Sequence, residues 1–195
     1  MNPMTEIAYL LTQTFFSLLL GAVVLRLLLQ LARADFYNPI SQFLVKVSNP
    51  LLLPLRRIIP PLGKVDSASV VLALAVQILA MVALLLIFGA RIPNIVTLLG
   101  WSVIGCLALV ANLYFFAIMI NIILSWVAPG TQHPAAALLY QLTEPVMQPF
   151  RKLIPPMGGI DLSPILVFLS INILQILLKS MAQSAGLNPI LVFGL

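Results

Sequence analysis

Pro50-Leu51-Leu52-Leu53-Pro54-Leu55-Arg56-Arg57-Ile58-Ile59-Pro60-Pro61-Leu62-Gly63-Lys64-Val65-Asp66 returns 95 positions later as Pro145-Val146-Met147-Gln148-Pro149-Phe150-Arg151-Lys152-Leu153-Ile154-Pro155-Pro156-Met157-Gly158-Gly159-Ile160-Asp161. Upstream, Pro39 and Pro134 keep the same offset, and no gap is needed. A constant offset marks a duplicated structural unit. Long apolar stretches flank both copies, so the duplicated unit is a membrane unit.

Composition agrees. The 195 residues are 62% hydrophobic and 8% charged, with a mean hydropathy of +1.13. A soluble domain carries about 25% charged residues, so lipid must cover much of this surface. The net charge is +5 and the pI about 9.8. The basic residues lie in short loops, where they set topology and meet anionic headgroups, which argues against nucleic acid as a partner. The single Cys106 can form neither an internal disulfide nor a multi-cysteine metal site and reads as a small packed residue. No positive charge precedes Arg26, so the first apolar segment reads as a retained helix rather than a cleaved signal.

Apolar runs cover about 7–32, 70–90, 95–127 and 164–181. Each approaches or exceeds the roughly 20 residues that cross a bilayer core. The third is too long for one untilted span, and Gly100 and Gly105 offer places to bend. Projecting the first span through the offset gives 102–127, which leaves Ile95 to Trp101 as an approach turn. The reading is an all-α membrane protein with four transmembrane helices, in two parallel two-helix repeats over 1–95 and 96–195. Arg33, Lys46, Arg56, Arg57 and Lys64 lie between spans one and two, and Arg151 and Lys152 between three and four, against Arg91 alone on the other side. The positive-inside rule places both long loops in the cytoplasm and both termini outside.

The loops are patterned too. Asn38 is placed to cap a helix with Pro39 at its first position. Ile40, Phe43, Leu44 and Val47 then recur at helical spacing, as do Ala135, Leu138, Leu139 and Leu142 in the second copy. These are short amphipathic helices for the cytoplasmic interface. Pro50 and Pro54 are expected to break the first of them, leaving Leu55 to Ile59 and Phe150 to Ile154 as separate pieces that carry basic pairs. Asp66 and Asp161 stand just before the next spans, where a carboxylate caps free N–H groups and meets the positive end of the helix dipole. Asp161-Leu162-Ser163-Pro164 reads as a helix start with Ser163 as cap.

Asp35-Phe36-Tyr37-Asn38-Pro39, both proline-basic-proline motifs, Asp66-Ser67-Ala68-Ser69 and Met157-Gly158-Gly159-Ile160-Asp161 together resemble the YggT (YlmG) family of small bacterial and plastid membrane proteins, in its proteobacterial branch. The resemblance covers nearly the whole chain. It implies a bacterial inner-membrane protein, for which the charge bias above makes both termini periplasmic, associated with tolerance of osmotic shock and ion (potassium) uptake. Relatives are linked to cell division, membrane organisation and, in plastids, cytochrome assembly. No catalytic residue set comes with it, so the expectation is a non-enzymatic protein without cofactor or metal.

Eight polar residues in the spans remain. Arg26 and Gln30 correspond to Asn121 and Ser125, and Gln77 to Asn172. Asn172, Gln175 and Lys179 share a helix face. One reading is a polar seam between repeats that admits an ion or coordinates a ligand. The plainer one is hydrogen-bonding glue between helices, with Arg26 and Lys179 reaching toward water. The pairs Arg56-Arg57 and Arg151-Lys152 read as topology determinants resting on anionic lipid, or as a docking face for an acidic partner. Paired Asp66 and Asp161 invite a carboxylate-dyad reading, against the simpler one of capping. His133 occupies the position of Asn38 and, without companions, is a poor metal ligand. Trp101, Trp126 and Tyr37 suit interface anchoring, and Gly158-Gly159 a proline turn. The apolar faces call for a homo-oligomer or a larger membrane-protein partner beside the lipid bilayer.

Overall fold

A computed structural model describes residues 2–154 and 161–195. The expected turn at Pro155-Pro156-Met157-Gly158-Gly159-Ile160 lies outside the described residues. Six α-helices follow in order: α1 Pro3–Leu31, α2 Pro39–Arg56, α3 Ser67–Ile87, α4 Ile95–Val127, α5 Pro134–Leu153 and α6 Ser163–Ser184. A 3-10 turn follows at Pro189–Leu191. Four helices (α1, α3, α4 and α6) are long and apolar enough to cross a membrane. Connectivity gathers α2 and α5 at one end of this bundle.

Local chemistry sets the ends. Asn2, Asn38, Asn94 and His133 each accept a hydrogen bond from a backbone N–H of the first turn that follows. These bonds satisfy donors that a helix start leaves unpaired. At their far ends α3 and α6 stop at Gly89 (φ 62°) and Gly186 (φ 65°). There the N–H of the following residue reaches back to Leu85 and Ala182 carbonyls. The end of α1 makes the same reach, from Ala34 N to Leu29 O, with Arg33 in the left-handed region at φ 53°.

Two expectations are corrected here. Pro50 and Pro54 do not break α2, and Pro145 and Pro149 do not break α5; both helices run through to Arg56 and Leu153. A proline costs the bond to the carbonyl four residues earlier. Spaced by four, the two prolines of each helix share one face, and all four are exposed. Water or headgroups can therefore meet the freed carbonyls. Nor is Ile95 to Trp101 an approach turn: α4 is one helix of 33 residues, about 50 Å long at 1.5 Å per residue. It is longer than a hydrocarbon core of about 30 Å.

The core forms where small residues let helices approach. Ala68, Ala73 and Ala80 of α3 are buried against Leu20, Val23 and Val24 of α1. Across the bundle, Ile118 of α4 meets Met147 of α5 and Val167 and Ile171 of α6. Leu10, Leu11, Phe15 and Leu18 of α1 and Ile165, Leu169 and Ile176 of α6 face outward, as lipid contact requires. At the α2/α5 end the two copies are tied directly. Asp35 N donates to Gln141 Oε1 (2.8 Å), and Asn38 Nδ2 donates to the Pro134 carbonyl (2.8 Å).

After α6 the chain turns back into the bundle. Trp101 Nε1 donates to the Ala185 carbonyl at 3.1 Å, and Asn112 Nδ2 to that of Gly194 at 2.8 Å. Those α4 residues are separated by about 16 Å of helix rise. Leu187, Leu191, Val192 and Phe193 are buried on the way. Gly105 admits Val192: a methyl there would lie 3.0 Å from Val192 Cβ. Trp101 is thus not an interface anchor but a buried residue holding this returning segment, whereas Trp126 and Tyr37 are exposed.

Candidate functional site

The intramembrane polar residues turn toward the amphipathic helices. Arg26, buried in α1, donates through Nη1 to Ser48 Oγ (2.6 Å) and Asn49 Oδ1 (2.9 Å) of α2. Ser48 Oγ donates in turn to the Leu44 carbonyl. In the second copy Asn121 Nδ2 of α4 donates to Thr143 Oγ1 of α5 (3.0 Å), and that hydroxyl donates to the Leu139 carbonyl. Arg26 and Asn121 correspond under the 95-residue offset, and so do Ser48 and Thr143, and Leu44 and Leu139. One lock is therefore built twice, with a guanidinium in the first copy and an amide in the second.

A second pairing also recurs. Arg56 Nε and Nη2 both donate to Asp66 Oδ2 (3.1 and 2.5 Å), and Arg151 Nε donates to Asp161 Oδ2 (2.9 Å). Each bond ties the last turn of an amphipathic helix to the start of the next span. Ser69 Oγ adds a bond to Asp66 Oδ2 (2.6 Å). Asp66 stands at the first position before α3 but makes no capping bond to a backbone N–H; Arg56 and Ser69 hold its carboxylate instead. Asp161 Oδ1 accepts from Ser163 N (2.9 Å), so the aspartate meets the helix start and Ser163, expected as the cap, is the first residue inside α6.

Electrostatics follows geometry. Burial pushes the Asp66 carboxyl up, but the hydrogen bonds from Arg56 and Ser69 outweigh it and leave it below the usual carboxylate value. Asp161 is likewise lowered: burial raises it, and its bonds with Ser163 and Arg151 prevail. Burial lowers Arg151, yet Asp161 and Glu144 hold it above its usual value.

The other candidates do not join one seam. Gln30 Oε1 accepts a long bond from Arg56 Nη2 (3.4 Å), while Ser125 Oγ donates to the Ile122 carbonyl of its own helix. Gln77 is fully buried, and neither amide atom has a partner among the described residues. Asn172 bonds its own helix at Phe168, and Lys179 is exposed. Gln175 Nε2 donates to Asn112 Oδ1 (2.6 Å). Asn112 was not singled out from sequence, although an amide in the middle of an apolar run was its signal. Arg57 and Lys152 are exposed beside the paired Arg56 and Arg151. Among the described residues no three His, Cys, Asp or Glu side chains meet to hold a metal.

The second copy also holds open space beside its lock. Between α4, α5 and the start of α6 lies a cavity of about 560 Å³, lined by Asn121, Ser125, Trp126, Tyr140, Arg151 and Asp161 over Ile118 and Met147. A second lobe of about 290 Å³ continues along Asn121, Ser125 and Tyr140 to Thr131.

Comparison with known proteins decides the relationship. The family described as CCB3/YggT matches residues 4–87 and again 100–182. The chain belongs to the CCB3/YggT family. It is 48% identical over 177 residues to PA0392 of Pseudomonas aeruginosa, covering 90% of each chain. It is 37% identical over 188 residues to YggT of Escherichia coli K12, covering 94% of each. A shorter likeness, 39% over 61 residues, reaches the chloroplastic YlmG homolog protein 2 of Arabidopsis thaliana, covering 31% of this chain and 24% of that one. No solved structure matches. Within this YggT protein both polar locks fall inside the family-matched segments.

Proposed function

We propose that this YggT protein is a non-enzymatic, multi-pass component of the bacterial inner membrane that supports adaptation to osmotic stress, including ion (potassium) uptake. Its termini face the periplasm and α2 and α5 lie at the cytoplasmic surface. The carrying observation is the duplicated lock: Arg26 to Ser48 and Asn121 to Thr143 fix each amphipathic helix to a membrane span. An amphipathic helix at the headgroup boundary responds to lipid packing and charge. Osmotic shock alters both, and the locks pass the change from the surface helices to the spans. The copies of α2 and α5 share Asp35–Gln141 and Asn38–Pro134 bonds, so they respond together.

The test is cellular potassium after hyperosmotic shock in a deletion strain, in the same strain with the native chain, and with Arg26→Gln at equal membrane level. Potassium should recover slowly in the deletion strain, normally with the native chain and slowly again with Arg26→Gln. Unchanged recovery in all three would sink the osmotic reading. One observation favours a second reading, a membrane scaffold for division or complex assembly: Arg57 and Lys152 are exposed at the ends of α2 and α5 beside arginines that are already paired. On that reading Arg57→Glu with Lys152→Glu removes partner crosslinks while potassium recovery is untouched.

A further inference from the structure

The two copies of the lock carry opposite charge. In the first, two cations (Arg26 and Arg56) stand with one carboxylate, Asp66, which Arg56 alone of the two bonds. In the second, one cation (Arg151) faces two carboxylates, Asp161 at 2.9 Å and Glu144 at 2.6 Å. Two substitutions make the difference. Asn121 stands where Arg26 stands, and Glu144 where Asn49 accepts from the Arg26 guanidinium. The arginine that reaches across to α2 is replaced by a shorter amide that stops at Thr143, and the shortening is matched by the cavity beside it. Ser125 in place of Gln30 shortens the wall again.

We infer that the cavity between α4, α5 and α6 is a binding site for a cation bearing N–H donors, a guanidinium or a primary ammonium, seated where Arg26 carries its own guanidinium in the first copy. The volume of about 560 Å³ lies in the range of small-ligand sites. The acceptors are in place. Asn121 uses its amide nitrogen on Thr143 and Ser125 its proton on Ile122, so Asn121 Oδ1 and Ser125 Oγ keep acceptor capacity toward the cavity they line. Glu144 is not on the cavity wall but bonds Arg151, which is, so its carboxylate offsets that cation beside the site; its first-copy counterpart, Asn49, already receives a guanidinium donor. Trp126 and Tyr140 line the wall, and an aromatic ring there favours a cation. An anion meets the second carboxylate and is disfavoured. The same head group comes from a small soluble amine or from the ethanolamine of a phospholipid.

The protein in nanodiscs of phosphatidylglycerol and phosphatidylcholine, lipids without an N–H-bearing cation, is titrated with guanidinium, ethylammonium, tetramethylammonium and potassium. Trp126 fluorescence and the melting temperature are read together, so a silent tryptophan does not hide binding. Guanidinium and ethylammonium should saturate at concentrations at least about tenfold below the other two, a preference of about 1.4 kcal/mol. Glu144→Gln, which restores the amide of the first copy, should weaken them about tenfold. Asn121→Arg, which supplies the first copy's own cation, should abolish binding. Replacing phosphatidylcholine by phosphatidylethanolamine identifies the source: competition points to the lipid head, and an unchanged curve to a soluble amine. No saturable response, equal response to all four cations, or unchanged affinity in Glu144→Gln would overturn the inference. The last variant keeps the test decisive if Asn121→Arg fails to insert.

Discussion

Arg56 and Arg151 hold equivalent positions, yet their partners are unequally buried. The Asp66 side chain is 4% exposed and the Asp161 side chain 32%. Removing the partner of a buried charge costs about 3–5 kcal/mol, whereas an exposed pair is worth at most about 1 kcal/mol. Arg56 is itself 36% exposed, so solvent screening lowers its share. Arg56→Met should therefore destabilise the protein by about 2 kcal/mol and Arg151→Met by about 1 kcal/mol, read as unfolding in detergent micelles. The Asp66 carboxyl is depressed in the folded protein, so the unfolded chain binds its proton first as pH falls. Its stabilisation is complete above the ordinary carboxylate value and is lost as pH drops through the depressed one. Asp66→Asn should flatten that acid limb. The ion pairs were half legible in sequence: both aspartates follow their arginines by ten positions, in both copies. Reading each aspartate only against the helix after it concealed the arginine before it, because the intervening residues carry no periodicity that would pair the two.

Helix types, and the starts of α2 and α5, were plain in the chain, because Asn38-Pro39 and His133-Pro134 are local signals whose partners lie two residues away. Helix continuity was not. Whether Pro50 and Pro145 end a helix depends on where the freed carbonyl points, and only the assembled end of the bundle shows that face to be outward. Arg33 is a further case in which the assembled element overrides propensity. It takes the left-handed position that Gly89 and Gly186 occupy after α3 and α6. A left-handed residue with a Cβ costs about 1–2 kcal/mol, part of which glycine returns as chain entropy. Arg33→Gly should raise stability by about 0.5–1 kcal/mol in the same unfolding assay. A drop would mean that the Arg33 side chain has a role that its exposed position does not suggest.

For the molecule as a whole, the four-span count and the doubling could be read from hydropathy and offset, since both are properties of long stretches. The returning segment could not. Under the offset, residues 187–195 fall on 92–100, which lead into α4, so the doubling does not foretell a turn back, and a short apolar tail looks the same whether it lies outside or inside. Its seat depends on near contact: a methyl at Gly194 would lie 2.5 Å from Leu109 N, with no room to shift. Gly194→Leu should free the segment, expose Trp101 to quencher and lower the melting temperature by several degrees, about 2 kcal/mol. Unaltered Trp101 quenching would place the segment elsewhere.

That seat also orders events in time. The ribosome makes α3 and α4 long before Leu187 to Gly194. A nascent chain whose four spans are already in the bilayer still has the Asn112 amide nitrogen and the groove at Gly105 uncovered. Until the last turn of the segment slides in, that groove is open to lipid tails. Maturation of this protein is a closing step, and a pause in synthesis after α6 would hold it ajar.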